Sequence, residues 1–478
     1  MTHPKRILID ATYTLCSGRS SGIERVVRSL SRACIHISER LGIQASTVVC
    51  HEGNFFPVES HDFRRFATLS SRRQNTLAAM PASYRKVVKA IHGVAPLAPI
   101  QKWFLPEPGH LGIFKGWLSL EQKRIFAEIS QHQQPHKFQP GDLLVLPDAY
   151  WAGSVRSSIW SAAAKAKRES AKVATLIYDL IPLSHPEFVG EKRRAIFEQY
   201  LNAALDGSDM LLAISDSVLC ELRNYIDSQQ ASNPDRAESA ERPITTSFPL
   251  GAEIRHSKLN ASSSVRPEVT RVFDQTTSPY LTVAAFDPRK NHHFLLDAFD
   301  QMWDAGNQQP LCLVGRMGPK CSEIQERIQQ HPQRGKLLHV FHDLSDSELH
   351  YAYSKCRAVI FPSVVEGFGL PIVEARWYGK KTFASDIPVH REVGCGDCSF
   401  FALDSPCNLV SQLRTWETGE EDTKEASEEN GATICTGQPT SWHESSEAFL
   451  QKCFSLFDTP EQAGSTSEAH EDATVRAA

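Results

Sequence analysis

No stretch of these 478 residues approaches the roughly 18 to 20 uninterrupted apolar side chains of a membrane-spanning helix. Any meeting with a membrane is therefore expected from the side. Neither sign of charge dominates: 51 Lys and Arg stand against 56 Asp and Glu, a formal net charge of −5. So weak a field gives no reason to expect a nucleic-acid partner, whose binding rests on displacing condensed counterions. The twelve cysteines fall at irregular spacings that outline no disulfide framework, and Met1 leads into the strand-like Ile7-Leu8-Ile9 without a long apolar leader. A reducing, cytoplasmic setting is the expectation. Also missing is the G-x-G-x-x-G fingerprint of dinucleotide-binding folds, which sets a dehydrogenase aside.

What is present is an ordinary globular composition, 41% hydrophobic, on a chain too long for one compact core, so two domains are expected. Short β-branched or apolar runs recur, each followed by a polar turn and then by helical periodicity. Strands alternating with crossover helices around a parallel sheet, an α/β fold, give that pattern. Strands are predicted at 6–10, 46–50, 142–146, 173–179 and 210–215, and in the second half at 280–286, 311–314, 337–341, 358–362 and 382–385. Between the two sets, residues 229–242 are rich in Ser, Ala, Asn, Asp, Glu and Pro and lead toward Phe248-Pro249-Leu250-Gly251, the composition of an exposed hinge. The boundary is placed near residue 255, giving domains over 1–255 and 256–440, a helix over 441–458 and a disordered tail over 459–478.

Two segments read as decorations. Residues 61–130 carry eleven Lys and Arg against four Asp and Glu, interleaved with Phe63, Phe66, Trp103, Phe104, Phe114 and Trp117. An inserted helical pair with a solvated basic face would look like this, and so would a surface that meets anionic lipid or a lipid-linked ligand. Residues 417–430 hold seven acidic side chains against one Lys and read as a disordered loop.

The chemistry concentrates in Ala358-Val-Ile-Phe-Pro-Ser-Val-Val-Glu366-Gly367-Phe368-Gly369-Leu370-Pro371-Ile-Val-Glu374-Ala375. A buried strand ends at Pro362, a glycine-bearing turn follows, and Pro371 stands where a helix can begin, because its missing N–H is no loss there. Gly367, Phe368, Gly369 and Leu370 thus form a loop at a helix N-terminus, a seat for a diphosphate or a sugar hydroxyl. Glu366 just before it and Glu374 one turn beyond are placed to face one cleft, and carboxylates grip vicinal hydroxyls well. A ligand that is part sugar and part phosphate fits both features. This stretch resembles the E-x7-E motif of family 4 glycosyltransferases, and the following Ser385-Asp386-Ile387-Pro388-Val389-His390-Arg391-Glu392-Val393 is similar to that family's next segment. The resemblance implies that Glu366 engages the transferred sugar and Glu374 the ribose. It further implies the GT-B fold, two Rossmann-like domains facing each other across a cleft, with the donor held by the C-terminal one.

Upstream, Val283-Ala284-Ala285-Phe286-Asp287-Pro288-Arg289-Lys290-Asn291-His292 resembles the family's Pro-Arg-Lys-Asn segment. Adjacent cations at a strand end can clamp a diphosphate and steady its growing charge on departure. Relatives often carry a Gly-Arg pair where this chain has Ala284-Ala285, which leaves Arg289 and Lys290 as the local cations. Leu313-Val314-Gly315-Arg316 lies where relatives seat the nucleobase, so Arg316 is either a nucleotide contact or an ordinary surface arginine. Leu344-Ser345-Asp346-Ser347-Glu348-Leu349 resembles the segment before the next helix.

In the first half, Ser17-Gly18-Arg19-Ser20-Ser21-Gly22-Ile23-Glu24-Arg25 after the first strand resembles the glycine-rich first loop of this fold, with Gly22 approaching the donor phosphate. Ile177-Tyr178-Asp179-Leu180-Ile181-Pro182-Leu183-Ser184-His185 resembles the family's Asp-Leu-Ile-Pro-Leu segment, with Tyr178 where many relatives have His. His185 reads as a loop histidine with a local partner, whereas Asp148 and Tyr150 are either cleft or structural residues. The expectation is a retaining, metal-independent hexosyltransferase without cofactor. Glu366, Lys290, Arg289 and Asp179 are assigned to catalysis, Glu374, Gly367, Phe368, Gly369, Leu370, Arg316 and Gly22 to the donor, and Tyr178, Asp148 and Tyr150 to the acceptor side. The expected partners are a nucleoside diphosphate sugar, with GDP-mannose favoured, and a carbohydrate or lipid-linked glycan acceptor. Peripheral contact with the inner face of the membrane is kept open. A sugar-nucleotide epimerase and a non-catalytic sugar-nucleotide or glycan-binding protein are the rival readings.

Overall fold

The computed structural model describes residues 3–17, 22–59, 125–151, 156–232, 242–254, 265–318, 320–419 and 438–458. Apart from 125–130 and 417–419, the decorations read at 61–130 and 417–430 lie outside the described residues, as does the tail at 459–478.

The N-terminal sheet is built from β1 (Arg6–Asp10), β2 (Gln44–His51), β3 (Asn54–Pro57), β4 (Asp142–Leu146), β5 (Lys172–Ile177), β6 (Met210–Ala213) and β7 (Ile244–Ser247). Their order is β3-β2-β1-β4-β5-β6-β7, all parallel except the β2–β3 hairpin. The second sheet holds β8 (Tyr280–Val283), β9 (Leu311–Val314), β10 (Leu338–Phe341), β11 (Val359–Phe361), β12 (Thr382–Ser385) and β13 (Cys398–Phe401) in the order β10-β9-β8-β11-β12-β13, entirely parallel. Inner strands such as Asp142–Leu146 and Thr382–Ser385 are buried along their whole length, because helices cover both faces of a parallel sheet.

Three strands were not foreseen: β3, β7 and β13. All three are edge strands. Ile244–Ser247 is exposed or half-buried throughout, so it lacks the continuous apolar run that marks a central strand. Several foreseen strands also end earlier than their apolar runs, β5 at Ile177 and β8 at Val283, and the residues left over form the loops that carry the polar groups described below.

In each sheet the strand order reverses beside the first strand, between β1 and β4 and between β8 and β11. A crevice opens outside the carboxyl ends of the strands at such a point. One core cluster spans both domains, joining Tyr178 and Ile214 to Ala284, Phe361, Phe368 and Ile372. The helix Trp442–Phe454, opened by a Ser441/Glu444 capping box, lies on the N-terminal domain. There Phe449 packs on Phe248 at 5.1 Å, the Trp442 indole donates to the Glu253 carbonyl at 3.2 Å, and Ser445 donates to the Pro249 carbonyl at 2.7 Å.

Cys395 and Cys398 stand at Cys-x-x-Cys spacing, the one close pair among otherwise irregular cysteines. Neither is in a disulfide, and burial pushes the Cys398 thiol up to about 12, opposite to the lowered thiol of a redox-active pair. Among the described residues no helix is long and apolar enough to cross a membrane, and no group of three or more His, Cys, Asp or Glu is arranged to hold a metal ion.

Candidate active site

After β8 the chain makes a short 3₁₀ turn, Pro288–Lys290. Asp287 caps it by accepting from the Arg289 N–H at 3.2 Å, and Asn291 leaves it in the left-handed region at φ 54° before the helix His292–Asp304. The turn aims Arg289 and Lys290 at the neighbouring strand end. Beyond β11, Val364 donates its N–H to the Arg289 carbonyl at 2.8 Å, tying the two loops together. Glu366 is thereby brought between the cations. Arg289 Nη1 lies 3.0 Å from its Oε2, and Lys290 Nζ bonds its Oε1. Phe361 floors the site, with Lys290 Nζ 5.0 Å from its ring centroid.

The electrostatics follow from two cations sharing one buried carboxylate. Burial alone would raise Glu366, but Lys290 and Arg289 outweigh it and hold the carboxyl down at about 2. For Lys290, burial and then the Arg289 charge win over Glu366 and bring the ammonium down to about 8. Asp179, across the cleft, is raised by burial although Arg289 pulls it the other way. It also accepts the Ile181 N–H at 3.2 Å.

The N-terminal strand ends press directly on this site. A Cβ on Gly367 would stand 2.0 Å from the Tyr178 carbonyl oxygen, and Ser215, just past β6, donates to the Gly367 carbonyl at 2.8 Å. Gly369 follows at φ +97°, a conformation other residues resist, and the helix Leu370–Trp377 begins at once. Phe368 is buried in the interdomain core, with Leu370 packed against it, and Leu370 also lies 3.6 Å from where Gly22 would carry a Cβ. Glu392 accepts the Asp216 and Ser217 N–H groups at 2.7 and 2.9 Å, capping an N-terminal-domain helix from the other domain.

Glu374 is not beside Glu366's cations. Its Oε1 pairs with Arg25 of the N-terminal domain at 2.7 Å and its Oε2 accepts from Tyr353 at 2.7 Å. Arg316 is exposed on the loop after β9. Tyr178 turns its hydroxyl inward, donating to the Pro147 carbonyl at 2.5 Å, so only its backbone meets the site. Asp148 accepts from the Thr14 N–H at 2.6 Å and from the Thr14 hydroxyl at 3.1 Å, and Tyr150 donates to Asp10 at 2.8 Å. Both are fully buried at the β1/β4 crevice. His185 meets the Ser184 hydroxyl at 3.0 Å. Glu348 closes a capping box with Ser345 and is also gripped by Arg266.

The family model described as "Glycosyl transferases group 1" matches residues 271–432, the stretch that supplies Arg289, Lys290, Glu366 and Glu374. The C-terminal domain belongs to the group 1 glycosyltransferases. Among curated proteins, the serotype-specific mannosyltransferase WbdA of Escherichia coli is 27% identical over 241 residues, covering 50% of this chain and 29% of that protein. The O-antigen chain mannosyltransferase B of Escherichia coli is 25% identical over 245 residues, 50% of this chain and 59% of that protein. The O-antigen chain mannosyltransferase RfbU of Salmonella typhimurium is 34% identical over 138 residues, 29% of this chain and 38% of that protein. The chain thus spans less than two thirds of each. A sucrose-phosphate synthase structure from Thermosynechococcus elongatus matches the fold at TM-score 0.50 and 14% identity, over 94% of this chain and 95% of that one.

Residues that sequence reasoning did not nominate join the site or its interdomain contacts: Arg25, Ser215, His390 and Glu392; Asp10 stays with the N-terminal loops, bonded to Thr12 and Tyr150. Asp10 and Arg25 stood inside motifs already singled out, at the end of the first strand and just after its glycine loop. Ser215 and Glu392 act across the domain interface on backbone groups, and no local pattern encodes that.

Proposed function

We propose that the chain is a retaining hexosyltransferase that moves a hexose from a nucleoside diphosphate sugar to a hydroxyl of a glycan or lipid-linked oligosaccharide. The observation that carries this reading is the Glu366 carboxylate clamped between Arg289 and Lys290 at the β8/β11 crevice. An ammonium has three N–H donors and a guanidinium five, so both keep donors for phosphate oxygens after their bonds to Glu366. As the bond from the sugar's C1 to the diphosphate oxygen breaks, negative charge grows beside these fixed cations. The acceptor hydroxyl attacks C1 from the same face, the new C1–O bond forms, and its proton passes to the departing diphosphate oxygen. Fixed charge of this kind acts most strongly where water is excluded, which the interdomain seat favours.

Glu366 orients the hexose, and Asp179 faces the same space from the acceptor domain. GDP-mannose is the favoured donor because the curated relatives are named mannosyltransferases. Arg289 and Lys290 take the part a divalent ion would otherwise play, so no metal is assigned. The reading places the enzyme in the cytoplasm, with a lipid-linked acceptor met at the inner face of the membrane. The test is calorimetric titration of the full chain with GDP, UDP, ADP and their sugar conjugates, with and without EDTA, followed by a transfer assay. Tight GDP-mannose binding that survives chelation is the expected result. Preference for another nucleotide overturns the mannose assignment, and binding without turnover on any glycan overturns the enzyme.

A further inference from the structure

Two polar atoms at this site are buried with nothing to bond, the Ser363 hydroxyl and Nε2 of His390. His390 is fully buried on the helix Pro388–Gly394. Its ring leans against Phe361 at 5.2 Å, and its Cδ2 lies 3.5 Å from where Gly369 would carry a Cβ. The imidazole therefore sits beneath the Glu366–Gly369 turn, on the same phenylalanine that floors Lys290.

Its tautomer is fixed by its neighbours. Nδ1 lies 2.9 Å from the Ser385 carbonyl oxygen and 3.1 Å from the Ser385 hydroxyl. A carbonyl can only accept. The hydroxyl's single proton is committed to the Ser363 carbonyl at 2.5 Å, so toward His390 it too can only accept. Nδ1 carries the proton, and Nε2 is left with a lone pair and no donor. Burial, ahead of the pull of Glu366 in the other direction, keeps the ring neutral by lowering it to about 4. Leaving such an acceptor unpaired in a dry interior is unfavourable, and native structures hold few of them.

We propose that His390 is a specificity-determining residue of the donor site, its Nε2 accepting a hydrogen bond from a hydroxyl of the transferred hexose. The inference rests on the glycosyltransferase reading. The chemistry selects the hydroxyl over the diphosphate: a phosphate at neutral pH offers oxygens that accept, which a lone pair repels, whereas a sugar hydroxyl donates. Lys290 and Arg289 face the phosphates, while Glu366 and His390 supply the acceptors a polyol needs. The orphaned Ser363 hydroxyl, on the segment whose carbonyl takes the Ser385 proton, offers a second polar partner to the same sugar.

The experiment separates the two ring nitrogens. In His390→Gln the side-chain end stands near the Nε2 position, whereas in His390→Asn it stands near Nδ1 and keeps the contact with Ser385 alone. The full chain and both variants are titrated with GDP-mannose, UDP-glucose, GDP and UDP. The ring nitrogens of 15N-histidine-labelled protein are followed by NMR, His390 being assigned by the signal that both variants lose. For whichever sugar nucleotide binds the wild type, His390→Asn is expected to lose on the order of tenfold in affinity, while His390→Gln keeps most of it. The parent nucleotide should bind all three proteins alike, and the Nε2 resonance should shift with the sugar nucleotide but not with the parent nucleotide. Equal binding by all three proteins, or an Nε2 signal that does not move, overturns the role of His390 and leaves the transferase reading standing. Parallel loss of parent nucleotide and sugar nucleotide in both variants assigns the histidine to packing and also overturns it. A folded wild type that binds neither these four ligands nor ADP and its sugar conjugates overturns the transferase reading and this inference together.

Discussion

At the β8/β11 crevice one carboxylate sits between two cations and is held down at about 2, while at the β1/β4 crevice burial lifts Asp10 to about 7 and Asp148 to about 6. The strand-order reversal is shared, and the electrostatics are opposite. Asp10 and Asp148 accept bonds from Thr12, Thr14 and Tyr150, all from their own domain, so their lone pairs knit the N-terminal loops together. Glu366, Arg289 and Lys290 keep donor and acceptor capacity beyond their mutual bonds. Topology supplies a crevice in both halves, and at the C-terminal one the paired charges keep unspent donors and acceptors.

The sharpest way to break this contrast is to remove the charge pairing on the C-terminal side. Lys290→Ala is expected to lower kcat by about 10²- to 10³-fold, the usual loss when one preorganised contact to a developing anion is removed. Glu366→Ala should cost at least as much, since it leaves two adjacent half-buried cations without the carboxylate between them. Initial-rate assays with GDP-mannose check both, and near-normal turnover by either variant would refute the assignment of this cluster as the reacting centre.

The pH profile probes the same cluster without mutation. Lys290 is lowered to about 8 in the free protein, so the cation proposed to meet the phosphates is lost as pH rises through that value. kcat/KM, which reports the free enzyme, should fall above pH about 8, and the fall in kcat should lie at higher pH, because bound diphosphate stabilises the ammonium. A kcat/KM flat to pH 10 would remove Lys290 from the mechanism. Gly367→Ala tests the contact with the acceptor half. The added Cβ meets the Tyr178 carbonyl, so one loop must move, and the cost of overpacking, about 1–3 kcal/mol, should appear as weaker turnover with nucleotide affinity largely kept.

Much of the C-terminal site was legible because its parts lie in two short stretches. Arg289 and Lys290 follow one strand, Glu366 follows another, and parallel pairing of β8 with β11 makes those strand ends neighbours. Glu374 shows where such reading stops. Its spacing from Glu366 placed it one turn into the helix, but its partners are Tyr353, on another helix of its own domain, and Arg25 from the other domain. Arg25→Gln should therefore loosen domain closure, read as a larger radius of gyration of the unliganded chain in small-angle scattering. An unchanged radius would show that Glu392 and Ser215 hold the halves without it. On the acceptor side, Tyr178 occupies the place where relatives carry a histidine, but its hydroxyl is turned to Pro147. The strand foreseen at 173–179 ends at Ile177, so Tyr178 falls in the loop just beyond it, and sequence position could not give the rotamer. The edge strands were missed for a similar reason: half-exposed segments such as Ile244–Ser247 need a neighbour's hydrogen bonds to be strands at all.

The smallest expected effect lies on the N-terminal side, and it tests whether those carboxylates are scaffolding. A folded-state value raised from 3.8 to about 7 means that folded Asp10 keeps a proton the unfolded chain has released across that window. Stability from this group is fully present below pH 3.8 and is lost as pH climbs toward 7. Asp10→Asn cannot titrate, and the amide fits: its oxygen can accept from Tyr150 and the Thr12 N–H, while its NH2 can donate to the Thr12 hydroxyl oxygen. Thermal unfolding followed from pH 4 to 8 should accordingly decline less steeply in Asp10→Asn than in the wild type. For domains of this size about 1 kcal/mol corresponds to roughly 2–4 °C in Tm. Transfer activity at pH 7 should stay close to wild type, since Asp10's bonds are all within its own domain. A large loss of kcat with an unchanged pH-stability profile would instead make Asp10 a reacting group, and the contrast between the two crevices would fail.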